Sequence, residues 1–287
     1  MFWQNHFDVL LVDDEPDVLA ISKLSLKHVR NLGVPLKLHT AASKREAIEL
    51  LHGTTHLGEI AAAVIDVVME TEHAGLELCH FIRRDRSNRA MQLIIRTGQP
   101  GKAPERTIID SYDINSYITK TEVTEDRLYC LIKAAIKQWL VLRTAAIGFD
   151  LVNDLIASGR SASAILDRLH HFITSRVLQD SDGRRIAGTE AHQLWYLGDE
   201  VRGHGHLEDQ ALAQEVRARL AALPARRIND RGDELIQEGQ FFLLRPVLRG
   251  GGPEAGLLAK MNFVPPDFML NTYASVLSTM SSLLAPS

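Results

Sequence analysis

Four apparent strand ends in the first half of this chain carry side chains able to hold or move a phosphoryl group. Asp13, Asp14 and Glu15 follow the apolar run VLLV, Asp66 closes AAVID, Thr97 closes LIIRT, and Lys120 follows SYIT. Adjacent carboxylates repel one another, so the first cluster needs a bound cation, a solvated loop or an acidic helix start to explain it. Alone, VDDE reads most readily as a solvated loop, Asp66 as a helix cap and Lys120 as a surface charge. Together they make a reactive set. Asp14 and Asp66, with Asp13 acting through water, can hold Mg²⁺, and the backbone carbonyl of Val68 can supply another oxygen ligand. With that charge partly neutralised, Asp66 can attack a phosphoryl group while Mg²⁺ and Lys120 stabilise the transferring oxygens. Thr97 can then donate a hydrogen bond to the acyl phosphate, and Gly98 beside it leaves room for the group.

These residues need a scaffold that brings the carboxyl ends of strands together. Apolar runs at Phe7–Val12, Leu36–Thr40, Ala61–Asp66, Gln92–Arg96 and Ser116–Thr119 read as strands. Helical patterns fall between them, near Asp17–Val29, Ser43–Leu51, Gly75–Arg84, Pro104–Ser111 and Thr124–Val141. In the first helix, Leu19, Leu24, Leu26 and Val29 approximate one apolar face. Ser43 with Glu46 three residues later reads as a capping box. Strands alternating with helices predict an α/β fold with a doubly wound, five-stranded parallel sheet, whose ligands bind at the strands' carboxyl ends.

The last of these helices has no flexible linker after it, and TAAIGFDLVNDLIAS reads as further helix, which suits a semi-rigid connection or a dimer contact, while ordinary packing explains its apolar residues equally well. The pattern changes from Ser161. Ser161–Val177 and Leu207–Leu223 read as helices, the latter with Leu212, Val216, Leu220 and Leu223 on one side. His192–Leu197 reads as a strand and DSDG as a turn. Leu235–Arg249 and Leu257–Val264 read as long strands joined by GGGPE, and Phe268–Leu284 closes the chain with a helical apolar stripe. This order predicts an α+β domain with an antiparallel sheet over residues 144–287, after a first domain over 1–143.

Length supports two domains: the chain has 287 residues. A formal net charge of −4 gives no global support for nucleic-acid binding, and no helix carries a basic recognition face. Cys79 and Cys130 read as small buried hydrophobes of a reducing compartment. With no signal-peptide pattern and no apolar run long enough to span a bilayer, a cytoplasmic protein without membrane contact is expected. GHGH at 203–206, with His192 upstream, reads as a polar loop, since zinc sites need four well-placed ligands. Arg184–Arg185 and Arg226–Arg227 read as solvated charge pairs.

The pieces VLLVDDEPDV, AAAVIDVVM, IIRTG and YITK make residues 7–142 resemble the receiver domain of two-component response regulators. That resemblance implies phosphorylation of Asp66 by a histidine kinase or phosphotransfer protein. It implies Asp13 and Asp14 as metal residues, Thr97 as the switch hydroxyl, Lys120 as the phosphate-binding amine and Tyr117 as the switch aromatic. It also implies an output and dimer face at roughly Pro104–Leu142. Thr121 stands where receivers usually place proline after a cis bond, and Glu70 stands where proline is common. GQPGKAPE, YITKTE and DVVMETEHAG resemble a narrower group, in which a receiver precedes a GAF-like middle domain and often a cyclic-di-GMP phosphodiesterase. No HD pair followed by GYP, GGDEF, EAL or histidine-kinase signature occurs in this sequence. The expected function is a phosphorelay response regulator that changes protein contacts or assembly, as a homodimer. The alternative is a small-molecule-sensing adaptor modulated by its receiver.

Overall fold

The computed structural model describes residues 6–53, 60–98, 109, 111–156, 161–172, 192–248, 250–261 and 265–285. The chain divides between Arg143 and Thr144 into two compact units. In the first, β1 (Phe7–Val12), β3 (Val34–Ala41), β4 (Ala62–Asp66), β5 (Gln92–Thr97) and β6 (Ser116–Thr119) run parallel. Their order is β3-β1-β4-β5-β6, with β2 (Arg30–Asn31) added antiparallel at the β3 edge. This is the doubly wound order in which strand direction of progression reverses at β1, so a crevice opens beyond the carboxyl ends of β1 and β4. Every residue of β1, β4 and β5 is buried, as strands covered by helices on both faces require.

Helices α1 (Pro16–Leu26), α2 (Lys44–Gly53) and α3 (Ala74–His80) connect the early strands, and α3 runs on into a π turn at Phe81–Asp85. The start of α2 follows the expected capping chemistry. Ser43 Oγ accepts the Glu46 N–H at 3.1 Å, while the Glu46 carboxylate accepts the Ala42 N–H at 2.7 Å. The apolar face expected of α1 is not formed as read. Ser22 and Leu26 are buried, whereas Leu24 is 72% exposed and Ile21 65% exposed. The sheet accepts only the turn around Ser22 and Leu26, so Leu24 points to solvent. α4 (Glu125–Ile156) buries Leu128, Ile132, Ile136 and Trp139, and Trp139 meets Phe7 edge-on at 6.3 Å. Cys79 is buried as expected, but Cys130 lies on the exposed side of α4.

The second unit contains α5 (Ala162–Phe172), β7 (His192–Leu197), β8 (Glu200–His204), α6 (Gln210–Ala221), β9 (Arg226–Arg227), β10 (Glu234–Glu238), β11 (Phe241–Arg245), β12 (Ala255–Lys260) and α7 (Asp267–Ser282). Its six strands pair antiparallel in the order β8-β7-β12-β11-β10-β9. Leu194, Tyr196, Ile236, Leu243 and Leu258 pack with Ala213, Val216 and Leu220 of α6. On alternate positions, Trp195 meets Tyr273 of α7 edge-on at 5.9 Å. The long strand read at Leu235–Arg249 is instead a hairpin. Gly239, at φ +59, turns β10 into β11, a conformation that costs glycine little. GGGPE still connects strands, β11 to β12. GHGH is not wholly a loop: Gly203 and His204 end β8, and the remainder forms a 3-10 turn. Leu212 of α6 is partly exposed while Ala213 takes its place in the core.

The helix read at Pro104–Ser111, the GQPGKAPE loop, the DSDG turn and the Arg184–Arg185 pair fall largely or wholly outside the described residues. No described helix is long and apolar enough to cross a membrane.

Candidate phosphoacceptor site

The carboxyl end of the first sheet brings the expected acids and amine together. β1 delivers Asp13 directly after its last residue, fully buried, and β4 delivers Asp66 at 2% exposure. Lys120 follows β6 and reaches across: its Nζ lies 2.9 Å from Asp66 Oδ2, 3.4 Å from Asp13 Oδ2 and 2.6 Å from Glu15 Oε1. One ammonium thus bridges three carboxylates. Oxygens of Asp13, Glu15 and Asp66 all lie within 4.8 Å of one another. Asp14 is not part of this group. Its side chain is exposed, as is that of Glu15. The reason is local: Asp13 Oδ1 accepts the Glu15 N–H at 3.0 Å, closing a tight Asx-type turn before the helix.

The local electrostatics follow from burial and from the shared lysine. Burial pushes the Asp66 carboxyl above its ordinary range, and the Asp13 charge adds to that, against the pull of Lys120 and Arg96. Burial disfavours the Lys120 cation, but hydrogen bonds to Glu15 and Asp66 outweigh it and hold the ammonium well above its usual range. Glu15 is held low by its hydrogen bond to Lys120. Asp66 Oδ1 is buried with no hydrogen-bond partner among the described residues. Such an orphaned acceptor is costly unless function uses it. By chemistry this open oxygen fits an oxygen-seeking hard cation or an incoming phosphorus equally well.

Thr97 ends β5 and is 3% exposed, and its carbonyl accepts the Lys120 N–H at 2.7 Å. A Cβ on Gly98 would stand 3.6 Å from the Lys120 stem, an ordinary contact. Val68 lies half-buried in the loop after Asp66, and Tyr117 of β6 packs half-buried against the core, paired in register with Ile95. The peptide between Lys120 and Thr121 is trans, since no described residue follows a cis bond. The chain after Lys120 therefore takes another path: Glu122 Oε2 accepts the Thr119 N–H at 3.1 Å and its hydroxyl at 2.8 Å, tightening the turn.

Several contributors escaped the reading of the sequence. Arg96 is buried at 2% exposure and its Nη2 donates to Asp13 Oδ2 at 2.8 Å. The signal was a single charge in the apolar strand QLIIRT. Gly75 is required by contact. A Cβ there would fall 1.9 Å from the Asp66 carbonyl oxygen, and the Gly75 N–H donates to the Val67 carbonyl at 3.0 Å. Glu70 accepts the Lys44 N–H at 3.0 Å, which fixes the loop after Asp66 to the start of α2. Its carboxylate does there what a proline could not.

No protein-family model matches the chain. The chain is 40% identical over 139 residues to 3'3'-cGAMP-specific phosphodiesterase 2 of Vibrio cholerae serotype O1; the match covers 48% of this chain and 26% of the relative. The chain thus matches about a quarter of that protein's length. Among solved structures, the signal receiver domain of an HD domain-containing protein from Pseudomonas fluorescens Pf-5 is 20% identical, covering 47% of this chain and 97% of that one, with a TM-score of 0.40. A CheY-like response regulator receiver domain protein from Methanospirillum hungatei JF-1 is 21% identical, covering 47% and 96%, with a TM-score of 0.38. The N-terminal unit thus has a doubly wound parallel sheet of order β3-β1-β4-β5-β6 with an acidic group at the carboxyl ends of β1 and β4.

Proposed function

We propose that the chain is a phosphorylation-controlled signalling protein in which residues 1–143 accept a phosphoryl group on Asp66 and residues 144–287 sense a small molecule. The observation that carries the first part is the orphaned Asp66 Oδ1 beside Lys120. In the transfer, an Asp66 oxygen attacks the phosphorus of a phosphohistidine on a histidine kinase or phosphotransfer protein. The P–N bond breaks, its electron pair returns to the imidazole, and that ring takes a proton. Lys120 moves its hydrogen bonds from the carboxylates to the transferred oxygens, and Thr97 supplies a hydroxyl donor as Tyr117 repacks. Asp66 and Glu15, with Asp13, Asp14 and the Val68 carbonyl nearby, are the residues that would hold Mg²⁺. When bound, the ion supplies charge neutralisation for the attack.

For the second unit, the support is a polar cavity of about 440 Å³ between α6 and the β7–β8 hairpin. It is lined by Gln210, Gln214, Arg217, Arg202 and Glu254, among others. The Arg217 guanidinium lies over the Tyr196 ring at 3.7 Å and bonds Glu254 at 3.2 Å. A pocket lined by donors and acceptors suits a small polar ligand. Helices flanking an antiparallel sheet suit a GAF-like sensor. The substrate named for the Vibrio relative makes a cyclic dinucleotide the first ligand to test. Calorimetry of the chain with 3'3'-cGAMP and cyclic-di-GMP tests this part. Binding lost in Arg217→Ala supports it, and no heat with either compound turns it away from cyclic dinucleotides.

A second reading, output through assembly as a homodimer, has its own observation. Leu142, Phe149 and Ile156 recur every seven residues on α4 and are 42%, 74% and 61% exposed. Such spacing suits a helix pairing with its copy. Light scattering with and without beryllofluoride, with Asp66→Asn as control, separates the readings. A mass increase that needs Asp66 favours assembly; an unchanged mass with the mimic bound favours ligand sensing.

A further inference from the structure

Arg96 is a charge built into the middle of the first sheet. It stands opposite Asp66 in the β4–β5 register, and its guanidinium turns to Asp13 and α1. Nη2 donates to Asp13 Oδ2 at 2.8 Å, and Nη1 donates to Ser22 Oγ at 3.0 Å. Ser22 is itself fixed, its hydroxyl donating to the Val18 carbonyl at 2.7 Å. The other Asp13 oxygen is taken by the Glu15 N–H. Both oxygens of a fully buried carboxylate are therefore held by protein groups, while Asp66 Oδ1, equally dry, is held by none.

A guanidinium stays charged at any pH a protein survives. Arg96 and Lys120 bring two positive charges to the three carboxylates of Asp13, Glu15 and Asp66, leaving this group at −1 (2 − 3). Without Arg96 it would stand at −2, with Asp13 Oδ2 released from its strongest partner.

We propose that Arg96 is a resident cation of the phosphoacceptor site, which keeps Asp13 as a positioning counter-ion rather than a metal ligand and so weakens the site's hold on a divalent cation. Ligation then falls to Asp66 and Glu15. This inference rests on the phosphoacceptor reading of the same site. Arg96 touches no reacting atom and is a positioning residue.

The test is Mg²⁺ alone titrated into the full chain by calorimetry, comparing the wild type with Arg96→Gln and Arg96→Met. The glutamine keeps a donor for Asp13 without the charge; the methionine removes both. Removing one unit charge a few ångströms from a divalent site tightens binding by roughly tenfold at high effective dielectric, and both variants are expected to show that gain. A folded variant that binds Mg²⁺ no tighter than wild type overturns the proposal. Failure of both variants to fold overturns it too, by making Arg96 a core residue only. Phosphoryl uptake measured by intact mass separates this from the broader reading. Wild-type uptake with unchanged Mg²⁺ affinity in the variants removes the Arg96 role alone. Tighter Mg²⁺ binding without wild-type uptake keeps the Arg96 role and removes the phosphoacceptor.

Discussion

The two sheets of this molecule treat charge in opposite ways. In the first unit Asp13, Asp66 and Arg96 are all at most 2% exposed and converge on one end of a parallel sheet. In the second, Arg219–Glu238, Arg226–Asp267 and Arg245–Glu234 are half-exposed or exposed pairs that tie strands to a neighbouring helix or strand. Exposed pairs contribute little, because water and salt compete with them. Buried ones are costly to assemble and strongly destabilising to break. A fold carries such a cost where chemistry needs a charge held dry, and here that place is the end of β1, β4, β5 and β6.

The largest expected effect is on chemistry. Asp66→Asn should abolish phosphoryl uptake completely while circular dichroism remains that of the wild type. Because burial holds the Asp66 carboxyl above its ordinary range, its ionised form opposes folding at neutral pH. The same variant should therefore melt no lower than the wild type.

Next are two glycines that compare the units directly. A Cβ on Gly75 would fall 1.9 Å from the Asp66 carbonyl oxygen, and one on Gly203 would fall 2.1 Å from the Leu207 carbonyl oxygen. Each Gly→Ala change should cost about 1–3 kcal/mol as overpacking against backbone. Only Gly75→Ala should also slow phosphoryl uptake, since it moves the loop after Asp66. Equal effects on uptake would break the division between units.

An acid titration sharpens the comparison further. Burial pushes Asp8 up, yet hydrogen bonds from His39 and His6 prevail and bring it from 3.8 to about 2. A depressed carboxyl stabilises the fold above its unfolded value and loses that stability as pH falls through the folded one. Between about pH 4 and pH 2 the first unit should lose about 2 kcal/mol through this group. Asp8→Asn should remove that dependence in denaturant melts. The smallest effect is expected in the second unit: Arg219→Ala should cost no more than about 1 kcal/mol, falling further in high salt.

Much of the first unit was legible in the sequence because its strands are continuous apolar runs ending in polar residues at fixed places. That pattern alone placed Asp66, Thr97 and Lys120 at strand ends, where the structure has them. Sequence spacing does not show which of the adjacent acids Asp13, Asp14 and Glu15 turn inward; in the structure the Asp13–Glu15 turn groups these two with Asp66. Arg96 was passed over because a charge at a strand's end reads as solvated until its partner is known. In the second unit, the apolar run FFLLRPVLR drew the reading of one long strand back through Gln237-Glu238-Gly239-Gln240, the polar stretch where Gly239 turns the chain. Leu24 misled for a related reason: helical spacing predicts a face, but the sheet beneath decides how wide a face it can cover.

The central claim is that Asp66 accepts a phosphoryl group. The direct measurement is intact-protein mass after incubation with acetyl phosphate and Mg²⁺, for the wild type and Asp66→Asn. A single phosphoryl adduct on the wild type, lost in the variant and removed by hydroxylamine as acyl phosphates are, is the result this account predicts. An adduct that persists in Asp66→Asn, or none on a folded wild type with Mg²⁺ bound, would contradict it.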